Sequence, residues 1–510
     1  MKKALPVRWL IVFGAFFFVT HLASGQYLFN EQCQKAYNSI LSLEFKDAKR
    51  LLDSERKINS TNLIPVYLEN YIDFLTLFIG ENRVQFEELR YNKQQRTDLL
   101  EKGNQDSPYY RYCLAEVNLQ WAFARLKFGD YTTAAFEIRK AFLLLTENQK
   151  LFPAFLLNKT GLGVVHIIAG LVPENYKWVA KLMGVEGSLG TGLKELREVA
   201  GYQGDDRIVK MFKPEAIFFM STILSTLQKD KREALTKMAD LRFDGSGSDL
   251  ESSPLITYAK ANILMKNGRN DEALKILQER KRSDQAFPFC YLDYLEGIAR
   301  LNKLELSSSV CFQKYLQHFT GLNYIKASYQ KLAWINALKG DTSGYIATIH
   351  LIEKMGAMIV DEDKQAEHEM NTLTFPSVVL LKARLLFDGG YYDAALRELL
   401  DNPVKSYVQT RKDLIEYTYR LARIYHETGN LAKALDYYSQ TVARGRNETY
   451  YFAAASAYQM GLIYENEGNV ARADSCYRRC LSLKTIEYRT SLNQKAKAGL
   501  NRLKNKESKI

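Results

Sequence analysis

The most constraining feature of this sequence is a spacing of small residues towards its C-terminal end. Ala383, Ala422, Gly461 and Gly499 follow one another at intervals of 39, 39 and 38 residues, and Ala395, Ala434 and Ala473 stand twelve residues after the first three. Around two of these anchors one segment recurs. Leu421-Ala422-x-x-Tyr425-x-x-x-Gly429-Asn430-x-x-x-Ala434-x-x-x-Tyr438 returns as Met460-Gly461-x-x-Tyr464-x-x-x-Gly468-Asn469-x-x-x-Ala473-x-x-x-Tyr477. Small residues at this period let two antiparallel helices touch, the aromatics fill the space between them, and the Gly ends one helix and turns into the next. One such unit cannot bury its apolar face alone, so copies must stack. The expected fold is all-α, helix pairs stacked in a superhelical solenoid.

Weaker copies extend the pattern upstream. Ala261, Gly268 and Ala273 repeat it, as do Ala122, Gly129, Ala134 and Ala141, while Gly297 and Ala333 continue it at 36-residue steps with decayed second helices. Ala36 and Ala48 suggest a first pair over 30–52, Tyr67–Gly80 a further apolar helix, and 214–241 one more pair. No stretch alternates with period two, so strands are not expected. The pattern resembles the tetratricopeptide repeat, whose usual period is about 34; the excess is expected in a longer loop near 444–449. Asp244–Ser253 has the Gly/Ser composition of a connector and divides the array into 26–243 and 254–503. The acidic run Asp361–Met370 stretches one interval to 50 residues, and the polar tail 504–510 is expected to fray.

The N-terminus reads as an export signal. Lys2, Lys3 and Arg8 precede the apolar run Trp9–Val19, which leads to Ala23-Ser24-Gly25 before Gln26. Residues 1–25 are expected to be removed near Gly25/Gln26, placing the mature chain in the periplasm or cell envelope. Cys33 lies too far from that junction for a lipoprotein anchor, and no later run reaches about 18 apolar residues, so no transmembrane segment is expected in the mature chain. The net charge of +12 falls to +9 without these residues and is spread along the chain. The longest basic cluster is Arg280-Lys281-Arg282. A nucleic-acid partner calls for a concentrated stripe and is not expected.

Catalytic motifs are missing. The six cysteines form no C-x-x-C; Cys476 and Cys480, one helical turn apart, read as small apolar residues facing a neighbouring helix. His166, His318, His350, His368 and His426 form no H-E-x-x-H, and neither a G-x-S-x-G nor a phosphate-loop motif is present. No catalytic residue, metal or cofactor is expected, and the chain is read as a non-enzyme.

Residues 159–204 hold nine of the chain's 29 glycines. A dinucleotide fingerprint would place G-x-G-x-x-G after a strand. Here Gly161-x-Gly163 has helical flanks, and Gly187-Ser188-Leu189-Gly190-Thr191-Gly192 has the spacing reversed. Close helix packing is the reading preferred, with an anion at the helix starting near 188–192 as the alternative. This region also carries a family resemblance. Lys159-x-Gly161-x-Gly163, Leu171-Val172-Pro173, Leu182-Met183-Gly184-Val185-x-Gly187 and Gly192-Leu193-x-x-Leu196, with Phe289–Gly297 (FCYLDYLEG), resemble the tetratricopeptide-repeat-39 family over most of 27–503. Its yeast relative is an inclusion-body clearance protein associated with lipid droplets. The export signal departs from those intracellular members, and the Ala23-Ser24-Gly25/Gln26 junction is similar to secreted proteins of Bacteroidetes-type bacteria. The resemblance implies no catalytic residue.

Function is therefore expected to be binding. Solenoids use the concave surface lined by first helices. Counting from the anchors, that surface is expected to present Arg384, Phe387, Tyr419, Arg423, His426, Tyr458 and Gln459. Arginines beside tyrosines suit a protein or peptide bearing acidic or carboxylate groups. The leading reading is an exported adaptor or scaffold in the bacterial envelope. The alternative is a carrier of lipid or another apolar ligand, using the apolar helices around 164–171 and 217–227; an enzyme without a recognisable motif is the remote one.

Overall fold

The computed structural model describes residues 25–172, 177–224, 253–372 and 375–507, with Glu233, Leu235, Thr236 and Met238 standing alone between the second and third spans. The expected signal and most of the 244–253 connector lie outside the described residues, as do Pro173 of the family motif and the end of the tail. Among the described residues the chain is helical, with two isolated bridges, Gly25 to Gly103 and Gln26 to Asn62. Helices follow one another as short-linked pairs: Pro108–Lys127 with Tyr131–Leu151, Pro254–Lys266 with Asn270–Glu279, Tyr291–Asn302 with Ser308–His318, and Ile325–Leu338 with Thr342–Ile349. Val378–Asp388 with Tyr392–Leu400, Arg411–Glu427 with Leu431–Gly445, and Phe452–Asn466 with Val470–Ser482 complete the array, which Arg489–Glu507 closes. This is an all-α repeat solenoid.

The repeat residues do what their chemistry allows. Gly429 and Gly468 turn the two best copies at φ +83° and +77°, a left-handed backbone that an L side chain adopts only at a cost. Asn430 and Asn469 follow at once and cap the second helices, each accepting at 3.2 Å from the amide three residues on. Gly461 and Gly499 press on opposite edges of the Tyr477 ring; a Cβ on either would come within 2.5 Å of it. The small anchors thus repeat because one buried ring sits between the first helices of neighbouring pairs.

Residues 158–200 pack more closely than the repeats. Asn158–Leu171 lies against Leu189–Ala200 with Gly163 facing Gly192, so that a Cβ on Gly192 would stand 2.3 Å from the Gly163 carbonyl oxygen. Gly187 sits on the backbone of His166, and a Cβ on it would be 2.4 Å from that carbonyl oxygen. Gly184, at φ +58°, ends the short helix Lys177–Met183. The glycines are contact points between backbones.

Distant parts of the chain meet. Ser253 donates from Oγ to the Leu41 carbonyl at 2.5 Å, the Phe287 amide donates to Leu43 O at 2.8 Å, and Glu81 Oε2 accepts from the Asn323 amide at 3.0 Å. Asp361–Thr372, read from the sequence as an interruption, is helical and buries Asp363, which accepts from the amides of Tyr324 at 2.7 Å and Ala327 at 2.9 Å. Asp363 thereby caps the Ile325–Leu338 helix. Arg489–Glu507 continues into the segment expected to fray.

Candidate functional site

The first helices of three successive pairs and the closing helix bring cations and aromatic rings together. Lys331 and Trp334 stand one turn apart on Ile325–Leu338, and the ammonium lies 3.7 Å from the indole centroid. Arg384, from Val378–Asp388, lies over the same ring at 4.8 Å. Arg423, from Arg411–Glu427, sits 4.7 Å over Phe387 and donates to the Tyr419 hydroxyl at 3.1 Å. Lys495, on the closing helix, adds a further positive charge close enough to Arg423 for the two to disfavour each other. Cations over ring faces keep part of their charge interaction while shedding water.

Charge balance differs among the cations of these helices. Arg420 is matched by Glu416 at 2.7 Å, and Arg502 by Glu465 at 2.7 Å. Arg384 has only Asp388, at 3.9 Å. Among the described residues no carboxylate stands within salt-bridge distance of Lys331, Arg423 or Lys495, although all three are only half-buried. Burial first, and Arg384 second, push the Lys331 ammonium down to about 7, despite Glu369, Glu362 and Asp388 acting the other way. Lys495 is lowered by burial and then by Arg423. An anion brought to this face would relieve both.

The seven residues expected from the sequence divide. Arg384, Phe387, Tyr419 and Arg423 come together as described. Phe387 and Tyr419 are themselves 8% and 3% exposed, so they support the guanidinium of Arg423 from below and do not offer open rings. His426 points to the neighbouring helix, its Nδ1 3.2 Å from the Tyr438 hydroxyl. Tyr458 and Gln459 are buried in the next repeat, with the Tyr458 ring 5.9 Å from that of Tyr477. Tyr458 and Gln459 take no part in the cationic face.

Lys331, Trp334 and Lys495 were not among the expected residues. The signal for two of them was available. Trp334 follows its anchor Ala333 by one position, as Arg384 follows Ala383 and Arg423 follows Ala422; Lys331 precedes Ala333 by two, as Arg420 precedes Ala422. The long interval across 361–370 hid the correspondence.

Among the described residues no three His, Cys, Asp or Glu side chains are grouped to hold a metal ion, and no helix is long and apolar enough to cross a membrane. All six cysteines are free thiols; burial pushes the Cys480 thiol up to about 12, away from reactivity. His166 meets Glu195 at 2.6 Å beneath the glycine-rich contact, where backbone fills the space a ligand would need.

Residues 415–442 and 454–485 match the model of the tetratricopeptide repeat. No curated protein matches the chain in sequence. Among solved structures it is similar to a human IFIT1 dimer with PPP-AAAA, at 12% identity and a TM-score of 0.35, covering 89% of this chain and 94% of that one. It is also similar to a monomeric IFIT1 mutant with Gppp-AAAA, at 13% identity and a TM-score of 0.30, covering 88% and 95%. A third is Naa15/Naa10 bound to HypK-THB, at 11% identity and a TM-score of 0.22, covering 93% and 78%. Scores this low say nothing about ligand or partner. The chain is thus a helical-repeat solenoid that carries tetratricopeptide repeats in its C-terminal part, an architecture of the interaction-scaffold class.

Proposed function

We propose that the protein is a non-catalytic scaffold that holds an acidic or carboxylate-bearing segment of a protein partner against the face formed by Lys331, Arg384, Arg423 and Lys495. The observation that carries this reading is the unmatched charge. Lys331 and Arg423 rest on aromatic rings at 3.7 and 4.7 Å, half-buried, with no carboxylate paired to them among the described residues. Holding cations in this way is unfavourable until an anion arrives, and guanidinium groups fixed over rings are ready for bidentate contact with carboxylates. The reading includes export. The N-terminal pattern of residues 1–25 and its Ala23-Ser24-Gly25/Gln26 junction support an exported bacterial protein working in the envelope, and the resemblance to the tetratricopeptide-repeat-39 family supplies no partner.

Cross-linking in the native envelope tests this directly. A partner joined to the wild-type protein is expected to be lost from a variant carrying Lys331→Ala, Arg384→Ala and Arg423→Ala whose circular dichroism and melting are unchanged. The same partner on both proteins would put the interaction elsewhere.

A further inference from the structure

A cavity of about 410 Å³ lies between the helices Ile64–Gly80, Arg207–Ile223 and Pro254–Lys266 and the residues 289–324. Its volume falls in the roughly 300–1,000 Å³ range of small-molecule sites. Its wall is aromatic, with Phe74, Phe218, Phe219, Tyr258, Phe289 and Tyr291 among the lining rings. These six rings are only half-buried although they point inward. Interiors of folded proteins leave few voids larger than a water, and an empty one costs more as it grows. Water is a poor filling here, because it needs two to four polar partners and most of the wall is ring and alkyl carbon, with polar atoms only at the two ends and on the tyrosine hydroxyls.

Those ends define the ligand. At one, Tyr37 and Tyr71 both donate to the same oxygen of Glu215, Oε1, the latter at 2.6 Å. Oε2 has no protein partner among the described residues. Burial raises the Glu215 carboxyl, and burial followed by Glu215 pushes neighbouring Glu116 up to about 8. At the other end Glu81 is saturated. Its Oε1 accepts from Lys127 at 2.7 Å and its Oε2 from the Asn323 side chain at 2.6 Å. Lys127 lies 4.7 Å over the ring of Phe78, which is 37% exposed and marks the side nearest solvent. The lining cation Lys127 is thus already neutralised, and the Glu215 carboxyl stands at the inner end with Glu116 close behind it. An anionic ligand finds repulsion and no counter-charge; an uncharged one finds rings, tyrosine hydroxyls and the free oxygen of Glu215.

We propose that this cavity binds a long-chain alcohol, its alkyl chain along the aromatic wall and its hydroxyl bonded to Oε2 of Glu215. The sequence had pointed to apolar helices around 164–171 and 217–227 for such a ligand. Val164 and Ile167 instead pack against Leu193, Leu196 and Ile217 in a closed core, and it is Phe218 and Phe219 that reach the cavity. The site shares no residue with the cationic face, so either can fail without the other.

The test uses the mature protein and three radiolabelled probes, 1-dodecanol, dodecane and dodecanoate. Dodecanol is expected to bind at one per chain, about tenfold more tightly than dodecane and at least tenfold more tightly than dodecanoate. Glu215→Leu should weaken dodecanol about tenfold and leave dodecane unchanged, while Glu215→Gln keeps most of the affinity. Ala259→Phe, placing a ring where a buried methyl lines the cavity, should abolish all binding with an unchanged melting curve. If that variant does not fold, the Glu215→Leu comparison between dodecanol and dodecane decides. No dodecanol binding, dodecanoate binding as tightly as dodecanol, or an alcohol preference that survives Glu215→Leu would overturn the proposal.

Discussion

Two glycines in one helix should respond oppositely to the same substitution. Gly192 and Gly190 both lie in Leu189–Ala200, two residues apart. A methyl on Gly192 would stand 2.3 Å from the Gly163 carbonyl oxygen and 2.5 Å from Ile167 Cγ1. The first obstacle is backbone, so relief requires the two helices to separate by about 1 Å, and overpacking of this kind costs about 1–3 kcal/mol. That shift would also loosen Gly187 on His166 and Gly170 on Ser188. Against it stands the better helix propensity of Ala, about 0.8–1.0 kcal/mol. Gly192→Ala is therefore expected to destabilise by up to about 2 kcal/mol. A methyl on Gly190 meets nothing nearer than Ser188 Oγ at 3.9 Å, and its backbone is not left-handed. Gly190→Ala should therefore stabilise by up to about 1 kcal/mol, less in a first turn than in a helix interior. Both changes stiffen the unfolded chain alike, so the difference of roughly 2 kcal/mol reports the folded contact alone. Native-state hydrogen exchange over 158–171 and 189–200 is the assay, because a repeat array need not unfold as one unit. Variants equal within about 0.5 kcal/mol would refute the reading of this stretch as a backbone-contact module.

Other outcomes follow from single residues. Gly429→Ala meets no atom within 4 Å yet must hold φ +83°, so it should lower local stability by about 1–2 kcal/mol through conformation alone, read as faster exchange at that turn. Glu116, pushed by burial from 4.5 to about 8, binds more protons folded than unfolded between those values. Stability should accordingly be highest below about pH 4.5 as far as this group is concerned, and decline as pH rises to about 8. Glu116→Gln should flatten that part of a urea-midpoint profile, and an unchanged profile would show that Glu116 is ionised in the fold. Exported protein should begin at Gln26 by N-terminal sequencing. Such a chain keeps the Gln26 contact to Thr61 O at 2.8 Å and the Tyr27 hydroxyl on Leu100 O at 2.6 Å. Retention of residues 1–25 would contradict cleavage at this junction.

The architecture was legible because its signals are local. Gly429, Asn430 and Ala434 are adjacent in sequence, and each acts through the nearest turn or the paired helix. Half of the cationic face was legible for the same reason, since Arg384 and Arg423 keep a fixed offset from their anchors. Tyr458 keeps the offset that Tyr419 has from its anchor but packs on the ring of Tyr477, a contact that spacing cannot express. Of the cavity only the apolar helix around 217–227 was legible, through Phe218 and Phe219. Tyr71, Phe218, Tyr258 and Tyr315 come from four separated helices and each alone reads as ordinary core. What makes them a site is the space between them, fixed only when 41–82 meets 253–324.

The most direct test of the central reading is the affinity of the mature protein for a fluorescent Glu-rich peptide, followed by anisotropy beside its Gln-substituted twin. Binding is expected to favour the Glu peptide by more than tenfold, to weaken with salt, and to fall about tenfold in Arg423→Ala and in Lys331→Ala. Because the Lys331 ammonium titrates near 7, the Glu peptide should also bind more tightly at pH 6 than at pH 8, a difference that disappears in Lys331→Ala. Equal binding of the two peptides, or variants indistinguishable from wild type, would contradict the account.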